Sequence, residues 1–141
     1  MAVEGLGRLY NFVPIAAGTL ISVKDASGIE FVVTGADTFT LSTAATYNGS
    51  TTNLAVITNY YTCTSQIGGA KWVNVTQGPS ATIVTSGSGS AAFYVDSQAM
   101  PASALYMQVA AAGAGLVYAI VHDLMVQRGP ANLRQLSGSS S

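Results

Sequence analysis

The sequence predicts an all-β protein, a single-domain antiparallel β-sandwich or barrel with extended terminal arms. Three observations carry this. Short runs rich in Val, Ile, Thr, Tyr and Phe recur along the whole chain, each bounded by Gly, Asn, Asp, Ser or Pro. No segment holds a long amphipathic helical pattern, and runs this closely spaced leave no room for helical crossovers. The chain has 141 residues, about one domain's worth, and 49% of them are hydrophobic, enough to build a packed core.

The elements follow in order. Residues 1–13 form an N-terminal arm and first strand, with the strand pattern over Leu9–Pro14. In Thr19–Lys24, residues Thr19, Ile21 and Val23 share a face. Asp25-Ala26-Ser27-Gly28 turns the chain into Ile29–Thr34, and Gly35-Ala36-Asp37 turns it into Thr38–Leu41. The Thr-, Ala- and Asn-rich stretch Ser42–Asn53 reads as an exposed excursion, with a short helical turn around Thr52–Ile57 as one form of its end.

Val56–Thr64 is the next strand, and Tyr60-Tyr61 presents one ring to each of its faces. After Gly68-Gly69, Ala70–Thr76 alternates: Trp72, Asn74 and Thr76 point one way, Lys71, Val73 and Val75 the other. Gln77-Gly78-Pro79-Ser80 is expected to close a hairpin onto Ala81–Thr85. Ser86-Gly87-Ser88-Gly89 separates this from Ala92–Asp96, and Leu105–Ala110 and Leu116–Gln127 complete the β-rich domain, residues 14–128. Gly129-Pro130 breaks the last strand. Residues 129–141 then form a C-terminal arm carrying Leu133 and Leu136 and a disordered Ser-rich tail.

Charge sets the function classes. Only 8% of residues are charged, against about 25% in ordinary soluble domains, which fits a surface partly covered by other protein. The five basic residues (Arg8, Lys24, Lys71, Arg128 and Arg134) are scattered. They form no stripe able to displace counterions from phosphates, so no nucleic-acid partner is expected. The longest apolar run, Val109–Val121, has 13 residues. That is short of the roughly 20 a membrane helix needs, so no membrane partner is expected. No basic segment followed by an apolar run marks a signal peptide.

Catalytic motifs are missing. His122 is the only histidine and its neighbour Asp123 points to the opposite face of a regular strand. One His and one Cys make a zinc site improbable, and no cofactor is expected. Cys63 is read as a buried structural thiol. The acids Glu4, Asp25, Glu30, Asp37, Asp96 and Asp123 are dispersed, and Asp25 and Asp37 occupy turn positions where Asp serves local backbone chemistry. The Asn48-Gly49-Ser50 and Asn74-Val75-Thr76 sequons are chance matches in a Ser/Thr-rich chain. The seven tyrosines suit interfaces apolar in body and wet at one edge, or stacking on sugar rings.

Four runs carry a family resemblance: Phe31-Val32-Val33-Thr34-Gly35-Ala36-Asp37-Thr38-Phe39-Thr40-Leu41, Ala55-Val56-Ile57-Thr58-Asn59-Tyr60-Tyr61, Lys71-Trp72-Val73-Asn74-Val75-Thr76-Gln77, and His122-Asp123-Leu124 to Arg128-Gly129-Pro130-Ala131-Asn132-Leu133. Over roughly Arg8 to Leu136 the chain resembles small virion proteins of tailed bacteriophages, above all the capsid decoration (minor capsid) proteins of actinobacterial phages. The resemblance implies a β-rich domain on the outer capsid surface, often trimeric, that stabilises the shell after DNA packaging. It transfers no catalytic residues.

The expectation is therefore a non-enzymatic structural protein of the virion, assembled in the host cytoplasm, whose partners are the major capsid protein and its own symmetry mates. Such interfaces bury about 1,200–2,000 Å² each. Leu6, Leu9, Tyr10, Phe12, Leu133 and Leu136 are the expected inter-subunit contacts. The rival reading is a phage tail or fibre module recognising a host-surface glycan or receptor, which predicts exposed aromatics clustered on one sheet face or loop end. A hydrolase using the dispersed carboxylates is the third reading and has no motif behind it.

Overall fold

The alternation of apolar and polar residues folds into two antiparallel sheets packed as a β-sandwich. The computed structural model describes residues 11–15, 17–23, 27–64, 70–85 and 89–122, and among these there is no α-helix, only a single 3-10 turn at Ser97–Ala99. The strands are β1 (Asn11–Ile15), β2 (Ile21–Ser22), β3 (Gly28–Thr34), β4 (Thr38–Ala44), β5 (Thr52–Asn53), β6 (Ile57–Cys63), β7 (Val73–Ser80), β8 (Thr82–Val84), β9 (Ser90–Asp96), β10 (Tyr106–Ala111) and β11 (Leu116–His122).

The larger sheet runs β1-β11-β3-β9-β6-β7 and the smaller β2-β10-β4-β5, with β8 also on β4. β5 and β8 share one edge of β4 in tandem: β5 pairs with Ser42 and Thr43, β8 with Thr38–Thr40. Of the connections, only β4–β5 and β6–β7 stay within one sheet; every other link crosses the core.

Period-two patterning decides which residues fill that core. Ile29, Phe31 and Val33 of β3 are buried while Glu30, Val32 and Thr34 face outward. On β9 the inward set is Ala91, Phe93 and Val95, and on β11 it is Val117, Ala119 and Val121. Phe39 and Leu41 of β4 and Met107 and Val109 of β10 meet them from the smaller sheet. Phe31 and Phe93 lie directly opposite in register, their rings stacked with centroids 5.4 Å apart.

Three of the crossings, β3–β4, β8–β9 and β10–β11, fall at one end of the sandwich and are stitched together there. Gly35 N–H donates to the Gly89 carbonyl, Thr85 N–H to the Asp37 carbonyl and Ala112 N–H to the Thr38 carbonyl, each at 3.0 Å. The Thr85 hydroxyl donates to the Gly35 carbonyl and accepts the Asp37 N–H. Gly35 has φ +103°, a conformation an L side chain rarely adopts. At the opposite end, β1 and β11 pair with Asn11 against Val121. The segments 1–10 and 123–141 therefore continue from the same corner of the larger sheet.

Two local expectations are corrected. Gln77–Ser80 is no hairpin turn. β7 runs through it to Ser80 and pairs with β6, while β8 pairs with β4 in the other sheet. The extra residues are absorbed as a bulge: Ile57 faces Ser80 and Asn59 faces Thr76. The Gln77 side chain spans it, its Nε2 donating to the Ile57 and Thr82 carbonyls at 3.0 and 3.2 Å. Nor is Ser42–Asn53 wholly an excursion. β4 continues to Ala44 with Ser42, Thr43 and Ala44 buried, and Thr52–Asn53 is a strand, not a helical turn. The backbone of Ser42 and Thr43 lies between β10 on one side and β5 on the other, so the segment is an interior strand of the smaller sheet.

Candidate functional site

Among the described residues only Glu30, Asp37, Asp96 and Lys71 carry ordinary charges. Glu30 stands opposite Tyr94 on the outer face of the larger sheet, and Asp96 lies opposite Gly28 on the same pair of strands. The fold thus brings two carboxylates onto one face, but side by side and not across a cleft, which is what glycosidase chemistry needs. Asp96 Oδ1 is also engaged, accepting the Gln98 N–H at 2.9 Å. No group of three or more His, Cys, Asp or Glu among the described residues can hold a metal ion. His122 ends β11, in register with Gly28, and Asp123 lies outside the described residues. Cys63 is buried, with its thiol 3.4 Å from the Ala70 carbonyl.

Asp37 is a structural anion. Its Oδ2 accepts the Gly115 N–H at 2.9 Å, both its oxygens accept the Gly113 N–H at 2.9 Å, and Oδ1 accepts the Thr38 N–H at 2.8 Å. This ties the β3–β4 corner to the β10–β11 corner and uses the lone pairs a cation would need. The Gly115 N–H above all, with those of Thr38, Gly113 and Ala112, holds the carboxyl below its ordinary value of 3.8 against the opposing effect of partial desolvation. A lowered folded-state pKa stabilises the fold above the ordinary value, and this is lost as pH falls through the lowered one. Asp37→Asn should therefore melt lower than the wild type at neutral pH. The gap should stay constant down to about pH 5 and narrow below pH 4. Thermal melts from pH 7 to 2.5 check this; a gap independent of pH would remove the ionic part of the account.

The outer face of the larger sheet carries the exposed aromatics. Tyr61 and Tyr94 are each about half exposed, and Tyr60, their neighbour on the other face, is buried. Tyr94 reaches back along the sheet over Gly28, where a Cβ would overlap its hydroxyl and meet the Val95 carbonyl at 2.8 Å. Between Tyr61 and Tyr94 the sheet opens. β6 pairs with β9 only at Tyr61–Cys63, against Ala92–Ser90. Beyond Tyr61, where β6 carries its bulge against β7 at Ile57/Asn59, β6 and β9 no longer pair. The result is a cleft of about 250 Å³ lined by Glu30, Thr58, Asn59, Tyr61 and Tyr94, with Ala92 among its smallest walls.

A second recess, about 230 Å³, is lined by Tyr60, Cys63, Val75, Val84 and Thr85 among others. Val84 in its wall is 59% exposed, as is Val73 of β7 at 60%.

Of the expected contact residues, Leu6, Leu9, Tyr10, Leu133 and Leu136 lie outside the described residues, and Phe12 sits in β1 in register with Ile120. The cleft escaped sequence reasoning. Its one legible signal was Tyr60-Tyr61 followed downstream by Gly78-Pro79, the residues that turned out to form a bulge. Compared with protein-family models, curated proteins and solved structures, the chain matches none.

Proposed function

We propose that this chain is a non-enzymatic structural protein of a phage virion, which decorates the outer capsid surface by binding the major capsid protein and its own symmetry mates, as a trimer. The observation that supports this best is the placement of the two chain ends. β1 and β11 pair at one edge, so segments 1–10 and 123–141, bearing Leu6, Leu9, Tyr10, Leu133 and Leu136, leave a rigid sandwich from one corner. Apolar residues on both of these segments offer contact surface to neighbouring subunits while the domain stays intact. The scarcity of charge across the sandwich fits a surface packed among other proteins.

Deleting residues 130–141 should weaken attachment to particles while leaving the melting temperature of the sandwich unchanged, because the deletion begins beyond β11. Attachment measured by co-sedimentation with phage heads is the readout; undiminished attachment would refute the arm contact. The copy number relative to major coat protein in purified particles tests the larger reading. A fixed large fraction supports shell-wide decoration, and a handful of copies refutes it.

A further inference from the structure

We infer that β7 is a homotypic docking edge, where two copies of this chain pair strand against strand, antiparallel, about a twofold axis at Asn74. An open strand edge presents a row of unpaired N–H and C=O groups, and proteins blunt such edges with short strands, Pro, bulges or charge. Most edges of this sandwich are blunted in that way. β2 and β5 have two residues each, β8 has three, and β1 contains Pro14. Among the described residues β7 is the exception. It is eight residues long, it pairs with β6 alone, and its own safeguards, Pro79 and the bulge, lie towards its far end. Residues 73–76 contain no Pro, Gly or charge, and Lys71 is the single charged residue between positions 70 and 85.

Self-complementarity singles out a second copy as the occupant. When two such strands continue one sheet about a twofold axis, residues that face each other share a face, and the apolar pattern sets the register. With Asn74 on the axis, Val73 faces the partner's Val75, Val75 faces the partner's Val73, and Trp72 faces the partner's Thr76. Val73 is 60% exposed and Val75 only partly buried, so this register covers both with apolar side chains. Asn74 is exposed, and it then faces its own copy; a carboxamide both donates and accepts, so two of them satisfy each other. Moving the axis to Val75 would instead set Val73 against the partner's Gln77, a residue whose side chain is already committed to the Ile57 and Thr82 carbonyls. No like charges meet in the Asn74 register, because β6 and β7 carry none.

The surface beside the strand sets the strength. Tyr61, opposite Asn74 on β6, and Trp72 are each half exposed. Together they offer roughly 200 Å² of ring surface per copy, about a quarter of the ~800 Å² that each partner buries in a stable complex. Val73 and the β7 backbone add to this, so the dimer should have a Kd on the order of ten micromolar. In the sheet order β7 is five strand positions from β1, about 24 Å at the usual strand spacing. The contact is therefore separate from the capsid docking proposed for the β1/β11 corner.

The test uses the purified full chain without phage heads. Sedimentation velocity should show a concentration-dependent association that Asn74→Asp weakens about tenfold at pH 7, since two carboxylates would then oppose each other on the axis. Asn74→Cys should give an intermolecular disulfide under mild oxidation, because facing residues of an antiparallel pair have Cα atoms about 4.5–5.5 Å apart. Thr76→Cys, also exposed, should not, because its two copies are offset by four residues, about 13 Å. Buried Cys63 is common to every variant, and wild type controls for it. Melting curves verify that each variant keeps the fold. The proposal is overturned by the absence of association, by association that Asn74→Asp leaves unchanged, or by Thr76→Cys cross-linking as readily as Asn74→Cys. Cross-linking of Asn74→Cys to coat protein alone, once heads are added, would give the edge to a different partner and overturn it too. Failure here and failure of head attachment are separate results, since the first is read without heads.

Discussion

Phe31→Ala should cost about 3–5 kcal/mol of folding free energy, the usual range for deleting a buried aromatic ring. Phe31 is fully buried at the centre of the larger sheet, stacked on Phe93 and flanked in register by Ala119 of β11. Both neighbouring strands are held by paired ladders, so the sheet cannot collapse into the cavity left by the ring. A domain of this size has only about 5–15 kcal/mol of stability in total, so the variant should lose a large share of it. Urea titration reads the effect as a lowered midpoint at an unchanged slope. Phe31→Leu should cost less, under about 1.5 kcal/mol if repacking succeeds, because most of the volume remains. A loss under 1 kcal/mol for Phe31→Ala would show that the core is looser than this packing requires.

Gly115→Val should also be strongly destabilising, by about 1–3 kcal/mol or more, through overpacking and not through a cavity. A Cβ at Gly115 would meet Phe39 Cζ at 2.5 Å, Phe39 Cε1 at 2.7 Å and Asp37 Oδ2 at 3.0 Å. Phe39 is buried and cannot swing away, and moving Gly115 would pull its N–H from the Asp37 carboxylate. Core packing and the corner hydrogen bonds would therefore fail together. Gly113→Ala is the internal comparison: its nearest contact is Asp37 Oδ2 at 3.2 Å, so a shift of a few tenths of an ångström accommodates it. Chemical denaturation of both variants, and of Gly115→Val combined with Phe39→Leu, checks the mechanism. The double variant should recover part of the loss, since the smaller side chain relieves the clash. Simple additivity would place the cause elsewhere.

Much of the fold was legible because its signal is local. Runs of β-branched and aromatic residues between turn residues favour a pleated strand, so Ile29-Glu30-Phe31-Val32-Val33 and Leu116-Val117-Tyr118-Ala119-Ile120-Val121 announce their conformation, whereas the inward set of the second, apolar at every position, was settled by packing. Tyr60-Tyr61 divides between the faces as its spacing requires. Gln77-Gly78-Pro79-Ser80 misled because Gly and Pro serve a bulge on an edge strand as well as they serve a turn. The Thr- and Ser-rich end of β4 misled because hydroxyl residues suit an exposed loop as well as a strand, and only its pairing with β10 and β5 makes it interior.

The candidate cleft was barely legible, with Tyr60-Tyr61 and Gly78-Pro79 as its sole trace in the chain's order. Glu30, Asn59, Tyr61 and Tyr94 are far apart in the chain and meet only through the order β3-β9-β6, which no local pattern encodes. Asp37 shows the same division on one residue. Its position after Gly35-Ala36 marked it as a turn acid, but its principal partners, Gly113 and Gly115, lie 76 and 78 residues away. The sequence by itself determined the strand class and the scarcity of charge, because these follow from residue type and from the spacing of turn residues. Only the tertiary structure decided which strands pair, which corners are stitched and where the sheet opens. Those depend on non-local pairing, whose free energy comes from contacts between residues that the chain's order does not relate.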